Sequence, residues 1–135
     1  MVIAEKWIKD NVEFVFDYAL SFISSTHVIP TPKFHMTDGY GRVAVVSCDF
    51  WADEDDEHDF DELGNLLEKH AEAFGAVASL LVFVGTIDKQ DIVGIITYGE
   101  PNPKLHYKPL IWAADILDLG PTVTLPWNKV GNLDF

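Results

Sequence analysis

The sequence predicts one α+β domain, in which two helices pack on one face of a mainly antiparallel sheet of about five or six strands. The chain has 135 residues, of which 48% are hydrophobic, so it matches one domain with enough apolar material for a core. Two segments, 4–24 and 59–75, have helical periodicity. The other apolar segments are rich in β-branched residues and bounded by turn residues. The predicted order is α-β-β-α-β-β-β, with a possible last strand, in a single domain over 1–135.

The first helix is predicted at 4–24, because most of its apolar residues fall on one broad face at about 100° per residue. Phe14 and Tyr18 belong to that face, and the charged residues lie opposite. Phe16 and Leu20 break this division, since they are four residues apart and stand together on the polar side. We expect this pair to contact either a loop of the same chain or a partner, including a second copy in a homodimer.

Two strands near 33–38 and 42–50 are predicted to form a hairpin, because the intervening DGYG supplies residues that tolerate positive φ. The second of these strands is so rich in valine that we expect it in the centre of the sheet. The second helix is predicted to begin at Asp59, which forms a capping box with Glu62, and to end near Gly75.

The remaining chain is predicted to be mostly strand. A hairpin at 79–99 is followed by a strand within LHYKPLIWAAD, in which Pro109 favours an edge position or a bulge. TVTLPW could form a short last strand. The proline-rich stretch 99–112, with His106 and Tyr107, is a candidate recognition surface, because rigid aromatic segments lose little entropy on binding. The alternative is that its aromatic residues pack inward.

Nine carboxylates and no lysine or arginine occur in the acidic segment, residues 49–62. Three of them, Asp59, Asp61 and Glu62, suit the start of a helix. Five consecutive acids are interpreted as an exposed patch that steers a basic protein partner, with a solvated loop as the alternative: Asp53, Glu54, Asp55, Asp56 and Glu57. The segment lacks the turn glycine of an EF-hand, and the five histidines and single cysteine form no zinc signature. We therefore expect neither a bound metal nor a cofactor.

The function expected from these features is non-enzymatic protein binding. No nucleophile elbow, phosphate loop or dinucleotide motif is present. A net charge of −13 disfavours direct binding to nucleic acid or to anionic lipid. No apolar run reaches the roughly 18 residues that span a membrane, so we expect a cytoplasmic protein.

The acidic chain would suit an inhibitor, of the phage anti-defence or toxin-immunity type, that occupies a basic, nucleic-acid-binding surface. Two alternatives stay open. One is a structural protein that assembles through the first helix, and the other is a small-ligand binder or enzyme with its site between sheet and helices.

Overall fold

The computed structural model describes residues 2–28, 30–47, 60–99, 103–114, 116–131 and 133–134. Two helices and eight strands follow one another in the described chain: α1 (Val2–Thr26), β1 (Lys33–Thr37), β2 (Val43–Ser47), α2 (Phe60–Phe74), β3 (Ala78–Ile87), β4 (Gln90–Tyr98), β5 (Lys104–Ala113), β6 (Ile116–Leu119), β7 (Val123–Pro126) and β8 (Leu133–Asp134). Each predicted helix and hairpin is therefore present within a few residues of its predicted bounds.

The strands form one antiparallel sheet in the order β2-β1-β3-β4-β5-β6, with β7 paired to β5 and β8 paired to β3. The predicted α+β class, the antiparallel sheet and the order of its elements are confirmed. The possible last strand within TVTLPW is present as β7, and the described chain adds two strands that were not expected, β6 and β8, of four and two residues. Such short strands carry too few residues to show an alternating pattern.

The two helices lie on opposite faces of the sheet, which differs from the single shared face that the sequence predicted. Leu80 and Leu81 are adjacent on β3, so their side chains point to opposite faces. Leu80 belongs to the apolar cluster that contains Val15 of α1, whereas Leu81 belongs to the cluster that contains Leu67 of α2. The apolar runs of β3 and β4 are uninterrupted because both faces of these strands are buried.

The prediction that the second strand is central is wrong, because β2 stands at one end of the sheet. Among the described residues only β1 pairs with it. Val43 and Val45 are 58% and 53% exposed, although Leu67 is buried and Phe74 is half-buried as expected. Valine content indicates a strand, but it does not show how many neighbours the strand has.

Pro109 lies inside β5, which has neighbours on both sides and is not an edge strand. The N–H of Gly120 donates to the Pro109 carbonyl at 2.9 Å, so the backbone polar groups of Pro109 face β6 and β7. On that side, the residues of β5 up to Tyr107 pair with β7, and those from Leu110 onward pair with β6. The missing N–H of the proline therefore falls at a break in the ladder.

Candidate protein-binding surface

A groove of about 360 Å³ lies between α1 and β2, on the face of the sheet that α1 covers. The main contacts of α1 are with β3, β4 and β6. A helix is about 10 Å across and strands are about 4.8 Å apart, so one helix cannot cover a sheet six strands wide. The part of the face formed by β1 and β2 is left open, and the groove is lined chiefly by Tyr18, Phe22, His35, Val45, Val82 and Val84.

An aromatic row on α1 forms one wall of the groove. Phe14, Tyr18 and Phe22 are spaced four residues apart, so they stack along one side of the helix. Phe14 is 66% and Tyr18 is 57% exposed. The sequence placed both residues on the face buried against the sheet, but they lie at the margin of that face, beside the uncovered strands. Exposed apolar groups that are contiguous mark sites of interaction.

The floor of the groove contains few polar groups. Lys33 Nζ donates a hydrogen bond to Ser47 Oγ at 2.9 Å. Burial, together with the neighbouring charge of Lys33, lowers the pKa of His35 below its ordinary value of 6.5, so the imidazole is neutral at pH 7. Among the described residues that line the groove, Lys33 is the only charged one. This lining favours apolar contact over ion pairing or acid–base chemistry.

Acidic side chains border the aromatic row on its solvent side. Asp10 precedes Phe14 by four residues and Asp17 follows it by three, so both are helical neighbours of that ring. Both aspartates are exposed. Glu13 lies elsewhere on the helix, where it accepts a hydrogen bond from Lys108 Nζ at 2.8 Å. The groove is thus apolar at its centre and negative along this rim.

Phe16 is fully buried, in contrast to the exposed position that the helical pattern indicated. The Nζ atom of Lys108 lies 5.0 Å from the centre of its ring, within the range of a cation–π interaction. Leu20 is half-buried and packs against the same cluster. The pair contacts its own chain, as one of the two expectations held, but among the described residues it packs on strands and not on a loop, because Leu110 of β5 and Leu117 of β6 belong to the same cluster. In this fold Phe16 is not a surface residue that a partner could reach.

His106 and Tyr107 are half-buried neighbours on β5 whose side chains point to opposite faces. His106 Nδ1 is 2.9 Å from Thr124 Oγ1 of β7, and Tyr107 packs against the α2 cluster. The two side chains therefore do not share one recognition surface. The five consecutive acids, residues 53–57, and the predicted helix cap Asp59 lie outside the described residues.

A second pocket, of about 730 Å³, lies between α2 and the other face of the sheet. Its aromatic lining includes Phe34, Tyr98 and Trp127, and Phe34 and Tyr98 meet edge to face at 6.1 Å. Burial raises the pKa of Tyr98 to about 12, so its hydroxyl stays protonated at neutral pH. Glu68 of α2 and Ser79 of β3 add polar groups. Sequence reasoning did not identify this pocket, because its residues come from separate elements.

The described residues contain no group of three or more histidine, cysteine, aspartate or glutamate side chains placed to hold a metal ion. None of the helices in this part of the chain is long and apolar enough to cross a membrane. Comparison of the chain with protein-family models, curated proteins and solved structures finds no match.

Proposed function

We propose that this protein is a non-enzymatic, acidic binding module that engages a basic surface on a partner protein. The observation that carries the proposal is the exposed aromatic row of α1, which faces uncovered strands on a chain of net charge −13. Protein interfaces combine a desolvated apolar centre, often with tyrosine, and a polar rim. The groove supplies the first feature, and Asp10 and Asp17 supply the second.

Charge specifies the kind of partner. A strongly acidic protein attracts basic surfaces at long range and repels acidic ones. Surfaces that bind nucleic acid are the most basic that proteins commonly present. A module that covers such a surface would exclude the nucleic acid, and it would act as an inhibitor of the phage anti-defence or toxin-immunity kind in the cytoplasm. Residues 53–57 would add five negative charges to this attraction.

The proposal is tested by affinity capture from a lysate of the source cell, followed by binding measurements with the purified partner. Wild type is compared with Tyr18→Ala, which removes an exposed ring from the groove. Tyr40→Ala is the matched control, because Tyr40 is 90% exposed and does not line the groove. Neither substitution removes a buried side chain, so both variants should fold normally.

The expected result is a basic protein that wild type and Tyr40→Ala retain and that Tyr18→Ala binds at least about tenfold more weakly, as for a substituted hot-spot residue. Neutralising residues 53–57 as asparagine and glutamine should reduce the association rate and its dependence on salt. A partner with an acidic surface, or equal affinity for all the variants, would contradict the proposal.

A small-molecule site is the second candidate function, and the 730 Å³ pocket beside α2 favours it, since its volume and mixed lining suit a ligand. A Cβ at Gly64, which lines this pocket, meets no heavy atom within 4 Å. Gly64→Leu is therefore expected to place a side chain at the pocket wall and to reduce the pocket volume. A metabolite that raises the melting temperature of wild type and not of Gly64→Leu would establish this function, and the absence of any such compound would remove it.

A further inference from the structure

We propose that the partner adds an extended strand to β2, with apolar residues on the groove side and basic residues nearby. This inference rests on the proposed function, because it specifies how the basic partner is held. β2 is an end strand of the sheet, and it lies directly beside the groove, to which it contributes Val45. Addition of a strand to an exposed sheet edge is a recurring mode of peptide recognition.

Alternate residues of β2 direct their backbone N–H and C=O groups toward the position that such a strand would occupy. Asp38 donates its N–H to the Arg42 carbonyl, so these two residues form a hydrogen-bonded pair of the β1–β2 hairpin. Such pairs alternate along an antiparallel ladder, so Ala44 and Val46 direct their polar groups toward β1. Val43 and Val45 consequently direct their N–H and C=O groups away from β1. Among the described residues, no other strand pairs with them.

The edge formed by β2 also lacks the features that prevent strand addition. Edge strands are commonly protected by charged residues, proline, bulges or very short length. The sequence of β2 is VAVVS, without charge or proline. The opposite edge differs, because β6 and β7 have four residues each and contain Asp118 and Pro126. Only one end of the described sheet therefore has an edge strand without charge or proline.

Side-chain direction and charge indicate which kind of strand binds beside β2. Val43 and Val45 point to the groove face and are more than half exposed. A strand placed beside them would bury its own alternate side chains next to these valines and the groove. Two copies of this chain would each bring a net charge of −13 to the contact and would repel each other. The net negative charge of the whole chain attracts a basic partner at long range instead, so the occupant is a strand of that partner.

The test selects phage-displayed random peptides on immobilised wild type and then measures their binding to Val45→Pro, which lacks an outward N–H. A second pair of variants guards against misfolding of the proline variant. Val45→Lys places a charge on this edge, and Ile116→Lys places the same charge at a 70% exposed position on β6. Peptide affinity is measured for each variant, and the contact is mapped by amide chemical shifts and hydrogen exchange.

The inference expects enriched peptides with alternating β-branched residues and lysine or arginine, bound by wild type and by Ile116→Lys. Val45→Pro should bind at least about tenfold more weakly, which corresponds to one hydrogen bond. Val45→Lys should also bind more weakly, because its charge repels a basic strand. Hydrogen exchange at Val43 and Val45 should slow when peptide binds.

Three results would overturn the inference. Peptides that bind Val45→Pro and Val45→Lys as well as wild type, or that map only to Phe14 and Tyr18, would show that the partner uses the groove without β2. Failure to enrich any peptide would also exclude strand addition. A wild-type dimer that Val45→Lys dissociates would assign the edge to a second copy. The proposed function is tested separately, by whether Tyr18→Ala loses binding to the basic partner. Failure of the strand-addition inference can therefore be distinguished from failure of the proposed function.

Discussion

Phe16 and Tyr18 stand two residues apart on α1, and the structure assigns them opposite roles. Phe16 is fully buried under Lys108, whereas Tyr18 is 57% exposed beside the groove. Replacing each residue by alanine therefore measures whether α1 has been placed correctly. We expect Phe16→Ala to destabilise the protein strongly and Tyr18→Ala to leave its stability nearly unchanged.

The magnitude follows from burial. Truncation of a buried phenylalanine costs about 3–5 kcal/mol, through lost transfer free energy and the cavity that is left. Loss of the Lys108 cation–π interaction adds about 0.5–1 kcal/mol. Domains are stable by only about 5–15 kcal/mol, so Phe16→Ala should remove a large share of the free energy of unfolding. Tyr18→Ala, a surface substitution, should stay within about 0.5 kcal/mol of wild type.

Urea unfolding followed by tryptophan fluorescence measures both variants, with Trp7 on α1 as one of the reporters. For a slope of about 2 kcal/mol per molar urea, the midpoint of Phe16→Ala should fall by about 1.8–3 M. Equal slopes are required for the comparison. If Phe16→Ala lowered the free energy of unfolding by less than about 1 kcal/mol, or if the two variants lowered it equally, this placement of α1 would be refuted and Phe16 would be a surface residue.

Three further predictions concern packing and titration. Gly94→Ala should destabilise the protein by about 1–3 kcal/mol in urea unfolding, because its Cβ would lie 2.5 Å from the ring of Phe83 across the β3–β4 pair. Gly64→Ala is the control and should stabilise by about 0.5–1 kcal/mol, since Gly64 lies inside α2 with open space around it. Because burial raises the pKa of Tyr98 from 10.0 to about 12, its contribution to stability is present below pH 10 and is lost as the pH rises toward 12. Tyr98→Phe should therefore lose less stability over that range, as followed by circular dichroism, and an unchanged alkaline transition would contradict this. The hydrogen bond from Arg42 lowers the pKa of Asp38 below its ordinary value of 3.8, so the stabilisation is present above that value and is lost as the pH falls further. Asp38→Asn should flatten the acid limb of the stability profile, and an identical acid limb would show that the ion pair has no effect on stability.

Local sequence signals were sufficient to predict both helices and the longer strands of this fold. The helical period located α1 and α2, and the DGYG turn located the first hairpin within a few residues. These signals depend on neighbours in the chain, where capping, turn geometry and periodicity act. The capping prediction for Asp59 and Glu62 falls on residues whose side chains the structure does not describe, and it stays a prediction.

Placement of the elements in space could not be predicted in the same way. A helical wheel assigns Phe14 to the apolar face and Phe16 to the polar side, yet the structure exposes Phe14 and buries Phe16. The reason lies in the position of α1 over β3 to β6, which covers one flank of the helix and leaves the other open. The edge position of β2 has the same origin, since pairing partners of a strand are distant in sequence. The candidate surface therefore depends on where α1 packs on the sheet, and no local sequence pattern encodes that position.

The acidic charge and the β2 edge should act on different steps of partner binding. Long-range attraction raises the rate of encounter, whereas short-range contacts made after docking determine the lifetime of a complex. Neutralising residues 53–57 should therefore lower the association rate of the purified partner, most strongly at low salt, with little change in its dissociation rate. Val45→Pro should show the opposite behaviour, because the lost hydrogen bond exists only in the docked complex. If both variants changed only the association rate, the edge strand would contribute to steering alone and the partner would be held elsewhere.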